Sequence, residues 1–272
     1  MNRLLENRMM LRTTAMALLA AGLMPTVSAQ TTDKAPEDSW QFSAGVGLVN
    51  RPKYAGSSDS KTQLLPLLSA SYGRYFIGSV PGSGVPFGLG AYLYRGAQFR
   101  TGVALGGGFS KARKEPDDER LRGLGDIDNA ARASIFSSYT LDWFTFRNSI
   151  SADISGKNQG VLATLDFEGK YRMTDKLALS AGPGLTWGNG DYTQTFFGVD
   201  DGQSARSGLQ RYTAKSGVNT LRFSLGAEYA LTRQWGIAAR ATLARLHGDA
   251  AGSPITASKS QNTYGVFANY RF

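Results

Sequence analysis

From Trp40 to Phe272 apolar and polar residues alternate with a period of two, broken only by turn residues, which predicts an all-β chain. Residues 161–172 show it best. Val161, Ala163, Leu165, Phe167, Gly169 and Tyr171 fall on one face, and Leu162, Thr164, Asp166, Glu168, Lys170 and Arg172 on the other. Twelve strands follow, at about 40–50, 62–72, 74–80, 85–94, 97–109, 129–141, 143–154, 160–172, 177–187, 219–231, 235–246 and 261–272. No helical stretch is expected among them. Strand 3 is the shortest and runs into Pro81-Gly82-Ser83-Gly84.

A half-buried soluble sheet would alternate in the same way, so strand length and connections decide. Most of these segments run 10–13 residues. Globular strands cluster near five or six residues, whereas a tilted membrane-spanning strand needs about 9–11. The connectors also sort by parity. Those after strands 2, 4, 6, 8 and 10 are brief, for example Thr174-Asp175-Lys176 and Thr232-Arg233-Gln234. Those after strands 1, 5, 9 and 11 are long and polar, the longest being about 188–218; the links after strands 3 and 7 are shorter exceptions. This asymmetry predicts a transmembrane antiparallel β-barrel of about 12 strands over residues 40–272, with short periplasmic turns and long outer loops. Closure pairs every backbone N–H and C=O in hydrocarbon, and an even strand count returns both termini to the periplasm. Tyr72, Tyr75, Phe76, Trp143, Phe144, Tyr171, Trp187, Tyr229, Trp235, Tyr270 and Phe272 lie near strand ends, where aromatic girdles sit.

Residues 1–29 are expected to be a signal peptide. Arg3, Arg8 and Arg12 form a basic start, Ala15–Met24 a short apolar core, and Val27-Ser28-Ala29 a site for cleavage after Ala29. Residues 30–39 are polar and are expected to be a flexible periplasmic lead-in.

Composition narrows the chemistry. There is no Cys and a single His, which excludes disulfides, thiol chemistry and two-His metal sites. The chain carries 30 Lys+Arg against 21 Asp+Glu. Without residues 1–29, which hold three Arg and Glu6, the balance is 27 − 20 = +7. The positive charge is spread rather than gathered in one patch, so no nucleic acid is expected as partner. It suits contact with outer-membrane lipid and the phosphates of lipopolysaccharide.

Several segments together resemble the MipA/OmpV family of outer-membrane proteins, named for an MltA-interacting protein. They are Arg51–Asp59, Gly123-Leu-Gly-Asp-Ile-Asp128 (with Gly123, Gly125, Asp126 and Asp128), Ser137-Ser-Tyr139, Phe196-Phe-Gly-Val199, Ser207-Gly208 through Tyr212, His247–Pro254 and Tyr270-Arg-Phe272. The resemblance implies an outer-membrane barrel without enzymatic activity. It implies a scaffold that tethers a murein-cleaving lytic transglycosylase to a penicillin-binding protein. Some relatives of the family look instead like adhesins or stress-responsive surface proteins. Tyr270 and Phe272 resemble the terminal signal read by the barrel-assembly machinery.

The bare residues offer few catalytic alternatives. His247, Asp249 and many serines supply the ingredients of a Ser/His/acid site. However, His247 lies in a Gly-rich turn and no Ser stands on a nucleophile elbow, so no catalysis is expected. Asp126, Asp128 and Asp117-Asp118-Glu119 could offer oxygens to Ca²⁺, but their spacing is not that of an EF-hand. Arg113, Lys114, Arg120 and Arg122 balance them, so a solvated loop capping the barrel mouth is expected; Asp200-Asp201 reads the same way. No cofactor is expected.

Arg132, Arg147, Asp153, Asp166, Glu168, Lys170, Arg222, Glu228, Arg240 and Arg271 should project into the lumen. They fit either a mixed-sign network that fills the interior or a narrow pore whose excess cations favour anions. Arg74, Lys176 and Arg233 fall on the periplasmic rim, where partner enzymes would dock.

Overall fold

The computed structural model describes residues 39–79, 82, 84–108 and 111–272. The signal peptide and all of the lead-in except Ser39 lie outside these residues. Twelve strands form: β1 Gln41–Pro52, β2 Ser60–Tyr72, β3 Tyr75–Gly78, β4 Phe87–Arg95, β5 Phe99–Gly107, β6 Arg132–Leu141, β7 Phe144–Asp153, β8 Val161–Arg172, β9 Leu177–Gly188, β10 Gly217–Ala230, β11 Trp235–Leu246 and β12 Thr263–Arg271. Each pairs antiparallel with its sequence neighbours, and β1 pairs β12, closing the barrel. Closure leaves no lateral edge to the sheet as a whole, the condition for spanning hydrocarbon.

Parity behaves as the alternation demands. Leu48, Leu64, Leu221, Leu225, Leu243 and Val266 stand exposed on the outside. Between them the inner positions carry Gly47, Gln63, Arg222, Ser224, Thr242 and Gly265. Phe76 is the exception to the expected girdle. In β3 the pairing Ser71–Phe76 turns Tyr75 and Ile77 outward and Phe76 inward, where it packs with Val85, Ala104 and Phe136. Beyond Gly78 the chain folds into the barrel, and Gly84 lies against the inner faces of β6 and β7 at Ser134 and Ser149. This inward turn is why β3 stops at four residues.

The expected absence of helices was incorrect. α1 (Gly190–Phe197) and α2 (Asp201–Ser207) occupy the loop after β9, and α3 (Gly248–Gly252) the loop after β11. Asn189 and Asp200 cap the first two through their side chains, and Gly208 ends α2 with φ of +73°. Segments this short complete barely two turns, so no 3.6-residue stripe stands out against the strand pattern.

These helices belong to a cap with its own hydrophobic core. Tyr54, Leu121, Leu124, Val199 and Ile255, drawn from four outer loops, form one buried cluster. Phe197, Ala214, Leu246 and Ala250 form a second. The mouth is capped as expected, but by packed apolar residues rather than by a solvated loop.

Candidate functional site

The lumen beneath the cap gathers most of the charged residues expected there. A chain of contacts runs Lys170–Glu228 (2.6 Å), Glu228–Arg240 (3.2 Å), Arg240–Glu168 (3.6 Å) and Glu168–Arg147 (3.0 Å). Separately, Arg222 clasps Asp166 at 2.7 and 2.8 Å and donates to Thr186 Oγ1 at 2.7 Å. β9 makes these meetings possible. Its inward positions are Ala178, Ser180, Gly182, Gly184, Thr186 and Gly188, so side chains from β8 and β10 meet over a bare strip. Each ion left alone here would be costly, which is why the network is so fully paired.

The other three lumen candidates stand apart. Arg132 and Asp153 face each other in register, yet they form no ion pair. Arg132 is buried and donates to the carbonyls of Ser151, Gln159 and Gly160. Asp153 accepts the backbone N–H groups of Ser155, Lys157 and Gln159 and so fastens the loop after β7. Arg271 ends β12 at the periplasmic side and has no ion pair among the described residues.

The Gly123–Asp128 segment is a knot in the cap. Gly123 and Gly125 have φ of +81° and +76°, the left-handed region that glycine tolerates. Gly123 also lies against the backbone of Arg206 in α2, leaving no room for a side chain. Asp126 accepts from Lys111 Nζ at 2.7 Å and from the Glu115 N–H at 2.7 Å. The Lys111 bond, helped by the Glu115 N–H, holds the Asp126 carboxyl below its usual range. Asp128 pairs with Lys111 and Lys157. Asp200 is spent on capping α2, and Asp201 pairs with Arg211.

His247 and Asp249 are not joined. His247 sits exposed before α3, and Asp249 accepts the backbone N–H of Lys215 at 2.7 Å. At the opposite end of the barrel Arg74, Lys176 and Arg233 stand exposed in three periplasmic turns. Phe272 is exposed there too, its ring edge-on to Tyr270 at 4.9 Å.

The sequence placed Arg113 in a solvated loop as a counter-charge to the acidic residues, which is incorrect, and it assigned Arg51 no role. Arg51 and Arg113 are almost fully buried. Arg51 donates to Gln63 Oε1 at 2.9 Å, and Arg113 Nη1 to the Phe196 carbonyl at 3.2 Å. Burial pulls the Arg113 pKa down to about 10 and pushes the neighbouring Tyr54 phenol up to about 12. The parity of β1 already placed Arg51 inside, on the face of Gly47 and Val49, and that signal was available. Arg113 lies in a loop, where no periodicity points inward.

Comparison with known proteins finds relatives along nearly the whole chain. The family model described as MltA-interacting protein MipA matches residues 44–272. The MltA-interacting protein of Escherichia coli (strain K12) is 24% identical over 264 residues, covering 95% of this chain and 100% of the relative. A second Escherichia coli (strain K12) protein, provisionally named outer membrane protein YiaT, is 22% identical over 236 residues, 85% of this chain and 91% of that one. Among solved structures, an outer membrane channel from Pseudomonas putida F1 superposes with a TM-score of 0.49 at 14% identity, covering 88% of this chain and 97% of that chain.

Proposed function

The chain belongs to the MltA-interacting protein MipA family, and from that premise we propose that this outer-membrane barrel is a non-enzymatic scaffold. In this reading it holds a murein-cleaving lytic transglycosylase near a penicillin-binding protein. The observation that carries the reading is end-to-end similarity to a relative named for an interaction. The structure adds a means. Arg74, Lys176 and Arg233 are exposed in separate turns at the periplasmic end, and would offer charge complementarity to an acidic partner surface. Tyr270 and Phe272, at the same end, would serve the barrel-assembly machinery. Basic outer loops would meet lipopolysaccharide phosphates.

The test is capture of a purified lytic transglycosylase by the detergent-solubilised barrel. Changing Arg74, Lys176 and Arg233 together to Glu should abolish or strongly reduce capture while leaving the barrel folded. Undiminished capture by the triple variant would place docking elsewhere.

A second reading, a narrow anion-preferring channel, draws support from the cationic bias of the lumen below the cap. Planar-bilayer recording separates the two. Steps that scale with salt and reverse toward the anion potential favour conduction, and a silent barrel favours the scaffold alone.

A further inference from the structure

The lumen between the cap and the ion-pair network encloses a cavity of about 290 Å³. Among the described residues its lining holds eight Lys and Arg side chains but only two carboxylates, Asp166 and Glu168. Those two are committed to Arg222, Arg147 and Arg240. Lys53 and Lys111 turn to Asp59 and Asp126 in the loops. Of the other three, Arg51 donates to Gln63, and Arg113 and Arg132 have relative exposures of 3% and 4%.

Neither guanidinium makes an ion pair among the described residues. Arg132 donates to carbonyl oxygens and to Ser151 Oγ. Arg113 meets the Phe196 carbonyl, and its buried Nε has no hydrogen-bond partner. Carbonyl dipoles offset only part of the cost of taking a cation out of water. A donor left unmade inside the protein costs more still. Arginine also presents its donors as a rigid fork that fits a carboxylate in two parallel bonds.

The same cavity has an aromatic wall. Tyr192 and Phe196, one turn apart on α1, place their rings 4.6 Å apart, and both line the space together with Arg113 and Arg132. Phe196 bears the ring and also the carbonyl that Arg113 holds, so the charged and apolar elements are adjacent.

We propose that this cavity is a binding site for a small organic anion, its carboxylate taken by Arg113 and Arg132 and its flat body laid against Tyr192 and Phe196. A scaffold does not require such a site, and the inference stands whether or not the periplasmic rim docks an enzyme. It assigns the barrel a ligand within its lumen rather than a through-current.

Salicylate titrated into the folded full-length barrel in detergent, followed by calorimetry, tests the site, with benzamide and inorganic phosphate as comparison probes. Saturable salicylate binding is expected, weakening as salt is raised, with benzamide and phosphate at least tenfold weaker. No saturable binding would overturn the proposal. Benzamide binding equal to salicylate would show that the guanidiniums are not the recognition element. Phosphate binding as tightly would remove the role of the rings. These comparisons use the unaltered protein, so they hold even if variants misfold. In Arg113→Gln, salicylate affinity should fall at least tenfold while heat-modifiable gel mobility is kept; unchanged affinity in this folded variant would also sink the assignment.

Discussion

Arg222 of β10 reaches over the whole width of β9 to clasp Asp166 of β8, with Nη2 2.7 and 2.8 Å from the two carboxylate oxygens. Gly184 stands opposite both residues in the register and leaves the path clear. A Cβ on Gly184 would collide with Asp166 Oδ1 and crowd Arg222 Nε. Gly184→Ala should therefore displace the pair and cost about 1–3 kcal/mol. Arg222→Leu should cost about 3–5 kcal/mol, because it strands the Asp166 charge, and adding Asp166→Leu should recover most of that loss. Urea unfolding of the barrel in lipid vesicles measures all three. Equal losses in the single and double variants would show that the pair is uncoupled.

One cluster of the cap, that of Tyr54, Leu121, Leu124, Val199 and Ile255, is drawn from outer loops alone, so it should fail separately from the wall. Leu121 and Ile255 are fully buried within it. Leu121→Ala or Ile255→Ala should weaken the cap by about 2–5 kcal/mol. Limited proteolysis of the folded protein should then cut within the outer loops, while the heat-dependent gel shift of the barrel persists. Loss of both together would mean that cap and wall form one cooperative unit.

Acid should loosen the cap at Asp126. Its carboxyl pKa is depressed, chiefly by Lys111, so its contribution is present above the unfolded value of about 3.9 and is lost as pH falls through the lower folded value. Lys111 is raised, chiefly by its bond to Asp126, so that side of the pair persists below about 10.4 and is lost as pH climbs through the higher folded value. Hydrogen-exchange protection of residues 111–128, relative to the intrinsic rate at each pH, should be highest between these limits. In Asp126→Asn the protection should be lower near neutral pH and its acid limb should flatten.

Phe223 lies near the middle of β10 on the lipid-facing side. Phe223→Arg should cost about 2–4 kcal/mol, the penalty of a cation at the bilayer midplane. Vesicle unfolding checks this, and a negligible effect would mean that this face does not meet acyl chains.

Much of the wall was legible in advance. All twelve strands appear close to their expected spans, and β11 occupies the expected 235–246. Seven of the ten lumen candidates form ion pairs there, Arg147, Glu168, Lys170, Glu228 and Arg240 in one chain and Asp166 with Arg222 in a separate pair. Phe76 was misplaced because an aromatic near a strand end fits a girdle or a core equally well. Only its pairing with Ser71 fixed the side.

Phe76 apart, the sequence by itself determined which strand residues face lipid and which face the lumen, because side-chain direction in a strand is a local consequence of backbone geometry. It also determined which end carries the long loops. The tertiary structure decided who meets whom: Arg222 with Asp166 rather than a nearer neighbour, Arg132 with carbonyls rather than Asp153, and Tyr54 with Ile255 two hundred residues away. Those choices depend on register, on an intervening glycine and on loops closing over one another, and none of these leaves a periodic trace along the chain.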